Sequence, residues 1–210
     1  MKSLKSFILI VFLSLYVCDM KAQTEDRLSF VLYAYPAFWL HKTGDIGTNN
    51  KLEFAFNYGG EVCVERRYKR FSLGLGFDYF TKNLEQQYMN EPHGYVNLQS
   101  MNGYFGFSLM EKMILVQRES WYHSIVVQEA LAFVSENRHY TYCHDDGTSY
   151  LQFSEKDNHK EVLIFVGYEI EKTIGRHVSV RLMPLFGFGS TNLIQLRFGV
   201  SYNLLNGIKN

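Results

Sequence analysis

Beyond Val17 the chain has no apolar run long enough to cross a bilayer as a helix, which takes about 20 residues. A helical membrane protein is thereby excluded. There is no surplus of charge either: Lys plus Arg and Asp plus Glu are 21 each in 210 residues, so no basic field draws the chain to nucleic acid. Prolines number three and cysteines three. No glycine-rich phosphate loop, paired-cysteine zinc spacing, serine elbow or internal repeat longer than a strand is present, so no cofactor is implied. What the chain does have is aromatic side chains, 17 Phe and 15 Tyr, with 16 Gly. Aromatics suit the pleated surface of a sheet, so strands are favoured over helices.

Met1 to Ala22 has the layout of an export signal: Lys2 and Lys5, an apolar stretch from Phe7 to Val17, and a polar exit ending in Met20-Lys21-Ala22. Cleavage is expected before Gln23, giving a signal peptide over 1–22 and one domain over 23–210. The apolar stretch is too short for an uncleaved anchor. Cys18 follows Val17, where a lipoprotein signal carries a small residue, so lipidation is disfavoured. Removing Lys2, Lys5, Lys21 and Asp19 leaves 18 basic and 20 acidic side chains, a net charge of −2.

The mature chain alternates with period two. Leu52, Phe54, Phe56, Tyr58, Gly60, Val62 and Val64 oppose Glu53, Ala55, Asn57, Gly59, Glu61, Cys63 and Glu65. Such alternation marks a strand with one apolar and one polar face. Phe71 to Tyr79 and Ile194 to Leu204 repeat it, and weaker versions span Leu28 to Leu40, Leu98 to Val116, Trp121 to Val134, Glu161 to Glu171 and His177 to Phe188. The total is eight strands. Pro36 and Pro184 fall inside two of them and are expected at bulges or strand ends, because proline cannot donate to a ladder.

Long polar connections, His41 to Asn50, Thr81 to Asn97 and Glu136 to Lys160, with the shorter Gly189 to Asn192, alternate with tight turns near Arg67 to Lys69, Gln117 to Ser120 and Lys172 to Gly175. Strands running up and down in sequence produce that pattern, so the expectation is an all-β, eight-stranded antiparallel up-and-down barrel. A soluble lipocalin-like barrel puts its apolar face inside and a transmembrane barrel puts it outside. The polar face decides, because it carries Ser72, Gly74, Gly76, Gly187, Gly199 and Ser201 with Glu53, Glu61, Glu65, Asp78, Glu169, Arg181 and Arg197. Small residues with a few opposed charges fill a narrow interior. Tyr58, Tyr79 and Tyr202 lie toward segment ends, as interfacial girdles require. The transmembrane barrel is the preferred reading.

In architecture the chain resembles the small eight-stranded outer-membrane barrels of Gram-negative bacteria, such as OmpX and the membrane domain of OmpA, over nearly all of Gln23 to Leu204. The resemblance implies the cell outer membrane, insertion by the barrel assembly machinery, outer-membrane lipid as surroundings and a monomer. Such proteins often end on an aromatic residue, whereas Tyr202 here is followed by Asn203 to Asn210.

The lumen charges are expected to form a salt-bridged plug rather than a proton relay or gate, since buried ions are costly unless paired. His177-Val178-Ser179 resembles the His-x-Ser pair of outer-membrane lipid A deacylases, but Val180 replaces that family's asparagine, no acid follows on the next strand face, and the register turns both side chains inward. No catalytic residue is assigned. His139, His144, Asp145, Asp146 and His159 match no defined metal spacing, and no metal is assigned. Tyr140, Tyr142, His144, Asp145 and Tyr150 make the third long connection a recognition loop for a surface ligand or protein. Cys63 and Cys143 fall on opposite rims, roughly 30 Å apart at 3.3 Å per residue, too far for a disulfide. Two free thiols are expected.

The functional expectation is a structural or surface-recognition protein of the outer membrane with a closed lumen. The alternatives are an outer-membrane lipid-modifying enzyme, a soluble ligand-binding barrel and a narrow channel.

Overall fold

The computed structural model describes residues 26–42, 52–90, 94–144, 146–188 and 192–206. The signal segment, Cys18 and the connections 43–51 and 189–191 lie outside them. Eight strands follow in order: β1 Asp26–Lys42, β2 Leu52–Tyr68, β3 Phe71–Asn90, β4 Gly94–Arg118, β5 Trp121–Cys143, β6 Ser149–Thr173, β7 Val178–Phe188 and β8 Asn192–Asn206. Each pairs antiparallel with its neighbour in sequence, and β1 pairs with β8 to close the ring. Closure leaves no edge around the barrel wall, so the ladder groups there are paired, as the bilayer interior demands.

The alternation seen in the sequence is alternation in space. Along β2, Glu61, Cys63, Glu65 and Arg67 are buried while Val62, Val64, Arg66 and Tyr68 are exposed. Most large apolar side chains stand outside, with Leu75 65% and Phe107 61% exposed, while the interior holds charged groups such as Glu171 and Arg197 at 0%, together with Phe80, Phe165 and Met110. This polarity excludes the soluble barrel, whose core would be apolar. Tyr58, Tyr79 and Tyr202 are all exposed on the outer wall.

Three features depart from the sequence reading. The connections Thr81 to Asn97 and Glu136 to Lys160 are mostly strand: β3 and β4 pair continuously up to Asn90↔Gly94, and β5 and β6 up to Tyr142↔Leu151, with a register shift before the last pair Cys143↔Ser149. The apolar alternation that marks a strand ends where the lipid ends, whereas the ladder of β4 to β6 continues into water with mostly polar side chains on its outward face. Pro36 and Pro184 sit mid-strand, not at ends or bulges. The β1–β8 ladder stops at Ala34↔Phe198 and resumes at Ala37↔Gln195, and the β6–β7 ladder skips from Gly167↔Leu185 to Ile170↔Leu182, both in unchanged register. The ladder loses rungs beside each proline without inserting a residue. His177 belongs to the turn before β7 and is exposed, not a lumen residue.

Gly167 permits the close approach at the second gap, because a Cβ there would lie 2.1 Å from the Pro184 carbonyl oxygen. Gly167→Ala is expected to cost about 2 kcal/mol through overpacking, read as a lower urea midpoint and a smaller heat-modifiable gel fraction.

The outer belt has one chemical interruption. Glu111 and Glu129 are half-buried on the outward face of β4 and β5, on adjacent rows (Glu111↔Val127, Leu109↔Glu129), roughly midway between Trp121 and Phe133. Their cross-strand neighbours on the other side are Leu73 and Ile164. Two carboxyls in hydrocarbon oppose insertion, so Glu111→Leu and Glu129→Leu are each expected to stabilise the barrel by about 1–2 kcal/mol in liposome unfolding titrations.

Candidate functional site

Two regions concentrate polar chemistry, the interior of the barrel and the extension of β3 to β6 above it. In the interior every second residue points to the axis, so strands far apart in sequence deliver charges to one column. At its lower end Lys112 Nζ lies 2.7 Å from both Glu65 and Glu169. Arg181 reaches Glu65 at 2.6 Å, Glu171 at 3.5 Å and Glu169 at 3.6 Å. Arg27 and Arg67 both donate to Glu171. The Tyr33 hydroxyl donates to Glu169 at 2.7 Å and accepts from Lys112 at 3.1 Å. Ser72 donates to Glu65 at 2.9 Å.

Higher up, Arg197 pairs with Glu61 and, at 3.1 Å, with Asp78, while its Nε donates to Gln195 at 2.8 Å. Its guanidinium lies over Tyr35, 4.6 Å from the ring centroid, and Tyr35 donates to Asp78. Gln128 and Ser108 donate to Glu61. Among the described residues the column therefore holds five cations, Arg27, Arg67, Lys112, Arg181 and Arg197, against five carboxylates, Glu61, Glu65, Asp78, Glu169 and Glu171. Neutrality is what lets so many ions stay buried, since each bare ion would cost several kcal/mol.

Six of the residues assigned to the lumen from sequence, Glu61, Glu65, Asp78, Glu169, Arg181 and Arg197, meet in this column. The side chain of Glu53 lies outside those described. Arg27, Arg67, Lys112 and Glu171 were missed. Arg67 and Glu171 continue the parity of Glu65 and Glu169 by one more step, and that phase was the available signal. Arg67, at the end of an apolar alternation, read as turn instead.

The pair suggested for lipid deacylation is not assembled. His177 Nδ1 donates to the Asn203 backbone carbonyl at 3.2 Å and the ring stacks on Tyr202, while Ser179 is buried and bonded to Arg27 and Thr173, each at 3.2 Å. Ser179 is a lumen residue, as its register implied; His177 is not.

Above the column, Phe80 stacks on Tyr104 at 4.5 Å. Beyond them the inward face of β4 to β6 is polar, with Ser100 donating to Glu136, Arg138 paired to Glu136 at 2.7 Å, and His159 between Asp157 at 3.3 Å and Glu161 at 3.2 Å. Glu136, Asp157 and His159 bring ligand atoms within 4.8 Å of one another, but Glu136 is already engaged by Arg138, Ser100 and Asn102. Of the histidines and acids weighed as metal ligands, only His159 is in this cluster. His139 bonds Ser154 on the outer face at 2.7 Å, and Asp146 closes the β5–β6 turn by accepting from the Thr148 hydroxyl at 2.6 Å and amide at 2.9 Å, which holds its carboxyl below the usual carboxylate range.

At the top the same inward face turns apolar: Val96, Leu98, Tyr140, Tyr142, Leu151 and Phe153. Phe153 stacks on Tyr140 at 4.6 Å and Tyr142 at 5.9 Å, yet stays 38% exposed, and Leu151 is 51% exposed. Of the candidate recognition residues, Tyr140 and Tyr142 lie on this face and His144 is exposed in the turn, while Asp145 and the side chain of Tyr150 lie outside the described residues. The β6–β7 ladder begins only at Ile164↔Phe188. Among the described residues, the outer edge of β6 from Ser149 to Leu163 has no strand partner.

A closed ring with an aromatic belt outside and neutralised charges inside is an eight-stranded transmembrane β-barrel of the outer membrane. No family model and no curated protein matches its sequence. Among solved structures it is similar in fold to Neisserial surface protein A (9% identity, 83% of this chain and 96% of that one, TM-score 0.48). It is also similar to Ail, the attachment invasion locus protein of Yersinia pestis, solved with the heparin analogue sucrose octasulfate (7% identity, 87% and 99%, TM-score 0.46). A third is the outer membrane protease OmpT of Escherichia coli (8% identity, 89% and 99%, TM-score 0.38).

The column makes a quantitative demand on its central cation. Arg181→Met leaves Glu65, Glu169 and Glu171 short of a positive charge, and a loss of about 3–5 kcal/mol is expected in liposome unfolding by urea.

Proposed function

We propose that this protein is a non-enzymatic surface-recognition protein: a monomeric barrel, inserted by the barrel assembly machinery, that holds the β3–β6 sheet extension outside the cell. The short turns face the periplasm and the long hairpins the exterior, as in outer-membrane barrels generally. The observation that carries this reading is the apolar patch of exposed Leu151 and Phe153 with half-buried Tyr140 and Tyr142, which sits beyond the lipid-facing belt where neither lipid nor core explains it. Tyr and Phe on a rigid sheet supply contact area at low entropic cost. The separation of His177 from Ser179 removes support for a lipid-modifying enzyme.

The lumen is proposed to be closed, because its charges are spent on one another across the axis. In planar bilayers the purified protein is expected to give no discrete conductance; stable unitary steps would sink the closed lumen. The recognition role is tested by panning a random-peptide library on the nanodisc-embedded protein. Enriched sequences are expected on the parent and lost on Tyr140→Ser with Phe153→Ser. Equal enrichment on both, or none on the parent, would count against this patch.

A further inference from the structure

The outer wall carries a second, separate feature at the upper limit of the belt. Tyr79, Phe105, Phe133 and Lys160 form one cross-strand row, and Thr81, Gly103, Ser135 and Asn158 form the next row above it. The aromatic row is exposed on the lipid side. Gly103 has no side chain, and a Cβ placed there would meet nothing within 4 Å. The wall is thus indented into a cleft of about 440 Å³, with Tyr79, Phe105 and Phe133 as its apolar part and Gly103, Ser135 and Lys160 at its rim.

Charge is sorted around this cleft by strand parity. Over Glu155 to Glu161, the residues Glu155, Asp157, His159 and Glu161 take the inward face, and Lys156, Asn158 and Lys160 the outward one. Lys160 Nζ stands 5.3 Å from the centroid of the Phe133 ring. Among the described residues neither lysine is ion-paired, and the outward face of β4 and β5 above the cleft carries no carboxylate: Gln99, Met101, Gly103, Ser135, Asn137 and His139. Two cations stand about 13 Å apart along one strand, Lys160 at the rim of the aromatic cleft and Lys156 above it, at the boundary between hydrocarbon and water.

We infer that this cleft binds a phosphorylated lipid of the outer leaflet, an acyl chain lying against Phe105 and Phe133 and a headgroup phosphate held by Lys160 and Lys156. An apolar ligand alone has no use for the lysines, and a soluble anion has none for the aromatic part. The site lies on the barrel wall and stands independently of recognition by the sheet extension, whose patch is on the opposite face of the same strands.

The test is a native mass spectrometry titration of the detergent-purified mature protein. Its probes are diphosphorylated hexa-acyl lipid A and the same lipid after enzymatic removal of both phosphates. The phosphorylated form is expected to bind more tightly, Lys156→Ala and Lys160→Ala to weaken it about fivefold each, and millimolar inorganic phosphate not to displace it. Gly103→Phe fills the cleft and is expected to abolish the preference while leaving heat-dependent gel mobility unchanged. Ser135→Phe fills it from the other side and serves if Gly103→Phe does not assemble. Equal binding of the two lipids overturns the inference, as does displacement by inorganic phosphate. So does parental affinity in both Lys156→Ala and Lys160→Ala, or in the filled-cleft variant.

Discussion

Electroneutrality of the barrel axis is the constraint on which the rest depends. Arg181 alone is shared among Glu65, Glu169 and Glu171, which arrive from β2 and β6. Glu171 is the direct cross-strand partner of Arg181, but the contact with Glu65 exists only once the ring is closed, because β2 and β7 meet only across the lumen. Once closed, the polar column commits the other parity of every strand to the outside, and the aromatic belt follows. Lipid exposure of Leu75 or Phe107 is therefore the counterpart of burying Glu65 and Arg197.

The same parity rule governs the part of the chain that leaves the membrane. In β6 the alternation Glu155, Lys156, Asp157 continues to sort charge after the apolar signal has stopped, so acids collect over the lumen mouth and lysines over the lipid boundary. Higher still, Tyr142, Leu151 and Phe153 invert the lower arrangement and place apolar groups inward. One strand thus changes its inner face from charged lumen to acidic mouth to aromatic patch, without a break in its ladder to β5. The charged side chains along the open edge of β6 suit an unpaired strand exposed to water, since they discourage pairing with other chains.

Two kinds of irregularity are tolerated in this ring for different reasons. Pro36 and Pro184 remove rungs from one side of their strands while register is kept. Glu111 and Glu129 disturb the belt without touching the ladder, since each is bordered by Leu73, Val127 or Ile164. The first kind is a backbone deficit held by neighbouring rungs. The second is a solvation deficit that no neighbour offsets.

The sequence by itself determined strand count, strand parity and which parity is wet, because period two maps directly onto the two faces of a pleated strand. It also exposed Glu61, Glu65, Asp78, Glu169, Arg181 and Arg197 as one set. Where the strands stop was not legible, since a polar strand in water and a polar loop have the same composition; so Arg27 and Arg67 read as flanks, and 81–97 and 136–160 as loops. Only the tertiary structure decided which acid meets which base, that His177 turns away from Ser179, and that Gly103 leaves a cleft beside Lys160. Those are distances between strands, and they are set by register and closure, which no single strand encodes.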